Sequence, residues 1–155
     1  MSQKCDHTSV GILVWKGANL LLIERKRFPL GFALPAGHVD DHGSFEQAAT
    51  DELQEEVGLK AQDLRLLVEG RKENPCRREG GTWHYWKIYQ AQADGTIKAA
   101  EDETKQVGFY TKDDLLALAV KTERYLRGEI KEGEWESSPG LEPVWYEWVK
   151  ELKII

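Results

Sequence analysis

Residues Gly37 to Leu59, GHVDDHGSFEQAATDELQEEVGL, decide how this chain is read. Ser44 is a good N-cap with Gln47 three residues on, a capping-box pattern, and Gly58 sits where a helix C-terminus takes its left-handed residue. The spacing predicts a helix from about Phe45 to Val57. On it Glu52, Glu55 and Glu56 stand at i, i+3 and i+4, which at about 100° per residue places their carboxylates within roughly a third of the circumference. Ala49, Leu53 and Val57 form the neighbouring apolar stripe that seats the helix on a core. One face anchors; the adjacent face presents negative charge.

Like carboxylates at these spacings repel, so a semi-buried cluster calls for a shared cation, and oxygen-only donors suit Mg²⁺ or Mn²⁺. The competing reading is a solvated acidic helix face. Leu34-Pro35-Ala36-Gly37, a sharp loop just before the helix, argues against it, because the order strand, glycine loop, acidic helix, glycine is hard to explain as solvation.

These residues resemble the Nudix (MutT-like) family. Its box reads Gly, five residues, Glu, seven residues, Arg-Glu-apolar-any-Glu-Glu-any-Gly-apolar; Gly37, Glu52, Leu53, Glu55, Glu56, Gly58 and Leu59 fall in register. Two positions depart: Gly43 stands where the family has its first Glu, and Asp51 where it has the Arg. In the family that pair can bridge loop to helix, so its joint absence reads as removal of a unit that leaves no charge stranded at Gly43. On this reading Gly43→Glu with Asp51→Arg leaves activity equal or higher. Asp51 also adds a carboxylate one turn before Glu55, for which His42 is a candidate partner.

The resemblance implies an α/β (α+β) fold, a mixed β-sheet sandwiched between helices. It implies Mg²⁺-dependent hydrolysis of a pyrophosphate linkage in a nucleoside diphosphate derivative. Glu52 and Glu56 are the expected metal ligands, with Glu55 as a further ligand or water bridge and the Ala36 carbonyl beside Gly37 completing the shell. Glu103, in an acidic triplet before a strand, matches a loop that in the family often supplies another Glu. The sequence does not identify the general base; Glu52 and Glu103 are the candidates. A nucleoside triphosphate is the first expected substrate and ADP-ribose or another sugar nucleotide the second. A non-catalytic nucleotide binder with a degraded box is the rival from another class.

Elsewhere the chain is informative in parts. Its 155 residues suit a single domain spanning 1–155, with a helical extension at about 141–155. A net charge of −6 argues against general nucleic-acid coating yet allows a local basic patch for one phosphate ligand. That patch is Glu24-Arg25-Lys26-Arg27, where Arg25 or Arg27 can grip phosphate oxygens with a planar guanidinium; the resemblance favours Arg25. Cys5 and Cys76 lie outside any CxxC pattern, so reduced thiols are expected, with neither a disulfide nor a zinc site. Cys5-Asp6-His7 reads as a frayed terminus. With no leader and no long apolar run, the expected location is the cytoplasm.

Val10 to Lys16 and Leu20 to Lys26 read as one hairpin about a turn at Gly17-Ala18-Asn19. Leu64 to Glu69 and Thr82 to Ala91 read as strands joined by a basic loop containing Arg77 and Arg78; His84 is read as structural rather than as a general base. Val107 to Tyr110 is strand-like, and Thr111 caps a helix running to about Tyr125. From Pro143 a last helix carries Trp145, Trp148, Val149 and Leu152 on one face, for covering the sheet, joining a homodimer or bordering the pocket.

Overall fold

The computed structural model describes residues 3–155. In chain order its strands are β1 (Thr8–Leu13), β2 (Trp15–Lys16), β3 (Asn19–Arg25), β4 (Phe32–Ala33), β5 (Ala36–Gly37), β6 (Lys60–Lys72), β7 (His84–Asp94) and β8 (Thr104–Tyr110). The helices are α1 (Phe45–Val57), α2 (Lys112–Leu126), α3 (Glu132–Ser137) and α4 (Pro143–Glu151), with a 3-10 turn at Asp40–His42. One sheet has the order β5-β1-β7-β6, with β1 and β7 parallel and the other pairs antiparallel. In the other, β3 pairs antiparallel with β2, β4 and β8.

The mixed sheet lies between α1 and α4, and the period-2 alternation of β7 shows how. Trp86 points to α4, where it meets Trp145 and Trp148 edge-on with ring centroids 5.3 and 6.4 Å away. Lys87 and Tyr89 point the other way, Lys87 over the Phe45 ring and the Tyr89 hydroxyl donating to Glu46 of α1 at 3.0 Å. Both faces are therefore covered, and Trp86, Ile88 and Tyr89 are all buried. α4 belongs to the main core and also borders the cleft described below through Trp145.

Two expectations are corrected. Val10 to Lys16 is not one strand of a hairpin: β1 stops at Leu13 and joins the mixed sheet, and only Trp15–Lys16 turns back on β3. At Val14 the chain passes from the buried residues of β1 to the exposed Trp15 and Lys16 and crosses from one sheet to the other, which local alternation does not reveal. Nor is Cys5-Asp6-His7 frayed. Cys5 is buried, Lys4 bridges Glu79, the Asp6 carboxylate accepts the Thr8 and Asp40 backbone N–H groups, and the His7 ring stacks on Trp83 at 4.1 Å.

Candidate active site

α1 begins where Ser44 Oγ accepts the Gln47 N–H at 3.1 Å and ends at Gly58 with φ +77°. Its buried side carries Ala48, Ala49, Leu53 and Val57, and this fixes the rotation of the helix. Glu52, Glu55 and Glu56 are thereby turned into a cleft of about 240 Å³. Arg25, Arg27, Ala36, Gly37 and Glu103, the other residues singled out from the sequence, line the same cleft.

Glu56 is almost fully buried, and its Oε1 accepts the Ala36 N–H at 3.0 Å, tying helix to loop. Burial pushes the Glu56 carboxyl well above its ordinary value. Burial does the same to Glu52, and the Glu56 charge beside it raises it further. Gly37 has a steric reason to lack a side chain: a Cβ there would overlap Glu52 Cδ and Oε1 and lie 2.7 Å from its Cγ. Three glutamate carboxylates, with Glu56 buried and Glu52 half-buried so that their charge needs neutralising, fit a hard divalent cation such as Mg²⁺ or Mn²⁺.

Arginines line the same cleft. Arg25, at the end of β3, donates from Nε to the Pro29 carbonyl at 2.6 Å and stands 3.8 Å from Glu142 Oε1. Arg27 donates from Nε to the Asp102 carbonyl at 3.1 Å, and the Lys26 N–H donates to the Glu103 carbonyl at 2.9 Å. The acidic triplet is thus laced to the basic strand end, which holds Glu103 at the cleft. Arg78, by contrast, is engaged bidentately by Asp40 at 2.7 and 2.8 Å.

The two departures have a structural account that corrects the idea of a removed unit. His42 Nδ1 lies 2.7 Å from Asp51 Oδ2, and Gln47 Nε2 donates to Asp51 Oδ1 at 2.8 Å. A His–Asp bridge therefore joins loop to helix. His42 Nε2 stands 3.7 Å from Glu52 Oε1, so the bridge also buttresses Glu52. Gly43 adopts φ +98°, where a side chain is strained. Gly43→Glu with Asp51→Arg is accordingly expected to lower kcat/KM by about tenfold, because it strains the loop and sets Arg against His42. Steady-state rates equal to or above those of the unmodified protein would contradict this.

Sequence reading missed Glu142. Buried at the start of α4, its carboxyl is pushed up to about 7 by burial, partly offset by Arg25. No local pattern marks it; its position follows from α4 docking on the sheet. A second cavity, of about 430 Å³, adjoins the cleft and shares Phe28, Pro29, Asn74, Pro75 and Glu142 with it. Tyr125 and Trp135, stacked with centroids 4.0 Å apart, form its aromatic wall.

Residues 6–135 match the NUDIX domain. The chain belongs to the NUDIX family. A curated relative, the ADP-ribose pyrophosphatase of Methanocaldococcus jannaschii, is 30% identical over 129 residues, covering 81% of this chain and 75% of the relative. Among solved structures, the MutT NUDIX hydrolase of Burkholderia pseudomallei superposes with a TM-score of 0.61 at 25% identity, over 69% of this chain and 84% of that one. The NUDIX domain of Shewanella oneidensis NrtR, complexed with ADP ribose, shares the fold at a TM-score of 0.59 and 18% identity, over 74% and 79% of the two chains. The protein is thus a Nudix hydrolase, with the mixed α+β architecture of its relatives. No helix among the described residues is long and apolar enough to cross a membrane.

Proposed function

We propose that this Nudix hydrolase cleaves the pyrophosphate linkage of a nucleoside diphosphate sugar of the ADP-ribose type, with Mg²⁺ or Mn²⁺ held by Glu52 and Glu56 and assisted by Glu55 and the Ala36 carbonyl. The observation that carries this reading is that the buried Glu56 and half-buried Glu52 line one cleft together with Arg25 and Arg27. A pyrophosphate has concentrated negative charge that repels an attacking oxygen nucleophile. The bound cation supplies charge neutralisation and acidifies water. Arg25 and Arg27 grip the phosphate oxygens, and Gly37 keeps the glycine turn low enough for the phosphates to approach. Glu103, exposed and lining the same cleft, takes the proton of the attacking water on this reading.

Shape and kinship support this substrate class. The adjoining aromatic cavity accommodates a second bulky group beyond the diphosphate, and the 30% identical relative is named an ADP-ribose pyrophosphatase. These two points support a sugar nucleotide over the nucleoside triphosphate expected from the sequence. A nucleoside triphosphate remains the alternative, favoured by the MutT structural neighbour.

The test is a panel of ADP-ribose, other sugar nucleotides and nucleoside triphosphates, each with Mg²⁺ or Mn²⁺, with products identified by mass spectrometry. ADP-ribose is expected to give AMP and ribose 5-phosphate at a kcat/KM at least about tenfold above any triphosphate. Preferential release of pyrophosphate from a triphosphate would transfer the assignment to that class. Nucleotide binding without turnover of any compound would support the non-catalytic rival.

A further inference from the structure

We propose that Cys5, His38, Cys76 and His84 form a closed, tetrahedral zinc site on the wall of the catalytic cleft, separate from the glutamate cluster. The ligand atoms of these residues all lie within 4.8 Å of one another. They come from four segments: the residues before β1, the loop after β5, the loop between β6 and β7, and the first residue of β7. The fold, and nothing in local spacing, brings them together.

Their geometry is that of a zinc coordination shell. An ion about 2.3 Å from sulfur and about 2.0–2.1 Å from nitrogen, with tetrahedral angles, sets an S···N edge of about 3.5 Å. Cys5 Sγ stands 3.6 Å from His38 Nε2 and 3.4 Å from His84 Nε2. Two sulfurs and two imidazoles constitute one of the usual closed structural sets, whereas the oxygen-only glutamate cluster suits a harder ion.

The surroundings orient the ligands as a metal site requires. His84 Nδ1 lies 3.1 Å from the Asn74 carbonyl, which can only accept, so the proton sits on Nδ1 and Nε2 presents its lone pair inward. Asn74 is itself buried and held by Trp86, whose Nε1–H donates to Asn74 Oδ1 at 3.0 Å. The His7 backbone N–H donates to Cys5 Sγ at 3.3 Å, as suits a thiolate. The Cys76 N–H donates to the Gly81 carbonyl at 2.8 Å, closing the turn that brings its sulfur inward. On binding Zn²⁺ the two thiols release their protons, and the ion with its two thiolates and two neutral imidazoles carries no net charge.

With four protein ligands the ion has no open position and serves to hold structure. It clips the Cys76 loop and the N-terminal segment to His38, next in sequence to Gly37. The Arg78–Asp40 pair reinforces the same junction.

The test is metal analysis of the full chain, purified under reducing conditions, incubated with Zn²⁺ and desalted. About one zinc per chain is expected, falling at least about fivefold in Cys76→Ser and in His84→Ala and persisting in Glu52→Gln/Glu56→Gln. Cobalt substitution of the unmodified protein guards against variants that misfold: thiolate-to-cobalt charge transfer with intense visible bands of a tetrahedral ion is expected. Four results would each overturn the site. They are zinc far below stoichiometric after incubation, zinc retained by both Cys76→Ser and His84→Ala, zinc lost only with the glutamate substitutions, or a cobalt spectrum without the thiolate band. A Cys5–Cys76 disulfide found by mass spectrometry of the non-reduced protein would also overturn it.

Discussion

Glu56→Gln is expected to lower kcat/KM on the preferred substrate by about a thousandfold while raising the melting temperature of the metal-free protein. The two effects have one source. Glu56 is almost fully buried beside Glu52, and burial raises both carboxyls above their ordinary values. A group whose folded-state value is raised contributes stability that is complete below the unfolded carboxyl value, near pH 4. That stability is lost as pH rises through the folded-state value. At neutral pH, between the unfolded value and a folded value of about 8, folding of the chelated protein must therefore take up a proton on this carboxyl, a cost that glutamine avoids. Glutamine keeps an oxygen for the Ala36 N–H and offers an amide to Glu52, so the substitution should stabilise the chelated protein by about 1–3 kcal/mol. Thermal unfolding in EDTA checks the second effect. A melting temperature that falls, or a rate that survives, would place Glu56 in an ordinary structural role.

Gly37→Ala is expected to lower kcat/KM by about a hundredfold with little change in stability. The added methyl overlaps the Glu52 carboxylate, the far end of a flexible side chain, and the clash is relieved by swinging that carboxylate aside. The fold has no need to move, so the stability change should stay within about 1 kcal/mol. Glu52, however, leaves the position in which it stands beside Glu56 and 3.7 Å from His42 Nε2. Kinetics and chemical denaturation on one preparation separate the two. Activity within threefold of the unmodified protein, or a large loss of stability with normal kinetics, would mean that the glycine serves packing and not the placement of Glu52.

Much of this site was legible because its information is local. Ser44, Gln47 and Gly58 bracket one helix, the stripe from Ala49 to Val57 sets its rotation, and the three glutamates then share a face by helical geometry alone. Thr111 announced α2 in the same way, through a capping box completed by Asp114. Glu103 and the preference for Arg25 over Arg27 required the family resemblance, since an acidic loop and a basic strand end are ordinarily solvated; the pairing of β3 with β8, Arg25 opposite Thr104, brings them together.

Legibility ended where long-range pairing takes over. The crossing at Val14 looks like continuous strand because both sides are apolar. Glu142 reaches the cleft only because Trp145 and Trp148 dock α4 against Trp86. Cys5, His38, Cys76 and His84 are spread over 80 positions, from 5 to 84, with no motif spacing among them. The His42–Asp51 bridge is an intermediate case: nine residues apart, it was a candidate pairing, but the strain that a side chain would suffer at Gly43 is visible only in the backbone.

The account as a whole requires a divalent ion bound by Glu52 and Glu56, and titration of the protein with Mn²⁺, following the free-ion signal by electron paramagnetic resonance, tests that most directly. Saturable binding is predicted in the unmodified protein, weakened at least about tenfold in Glu52→Gln/Glu56→Gln and unchanged in Cys76→Ser. Mn²⁺ affinity that is the same with and without the two glutamates would contradict it.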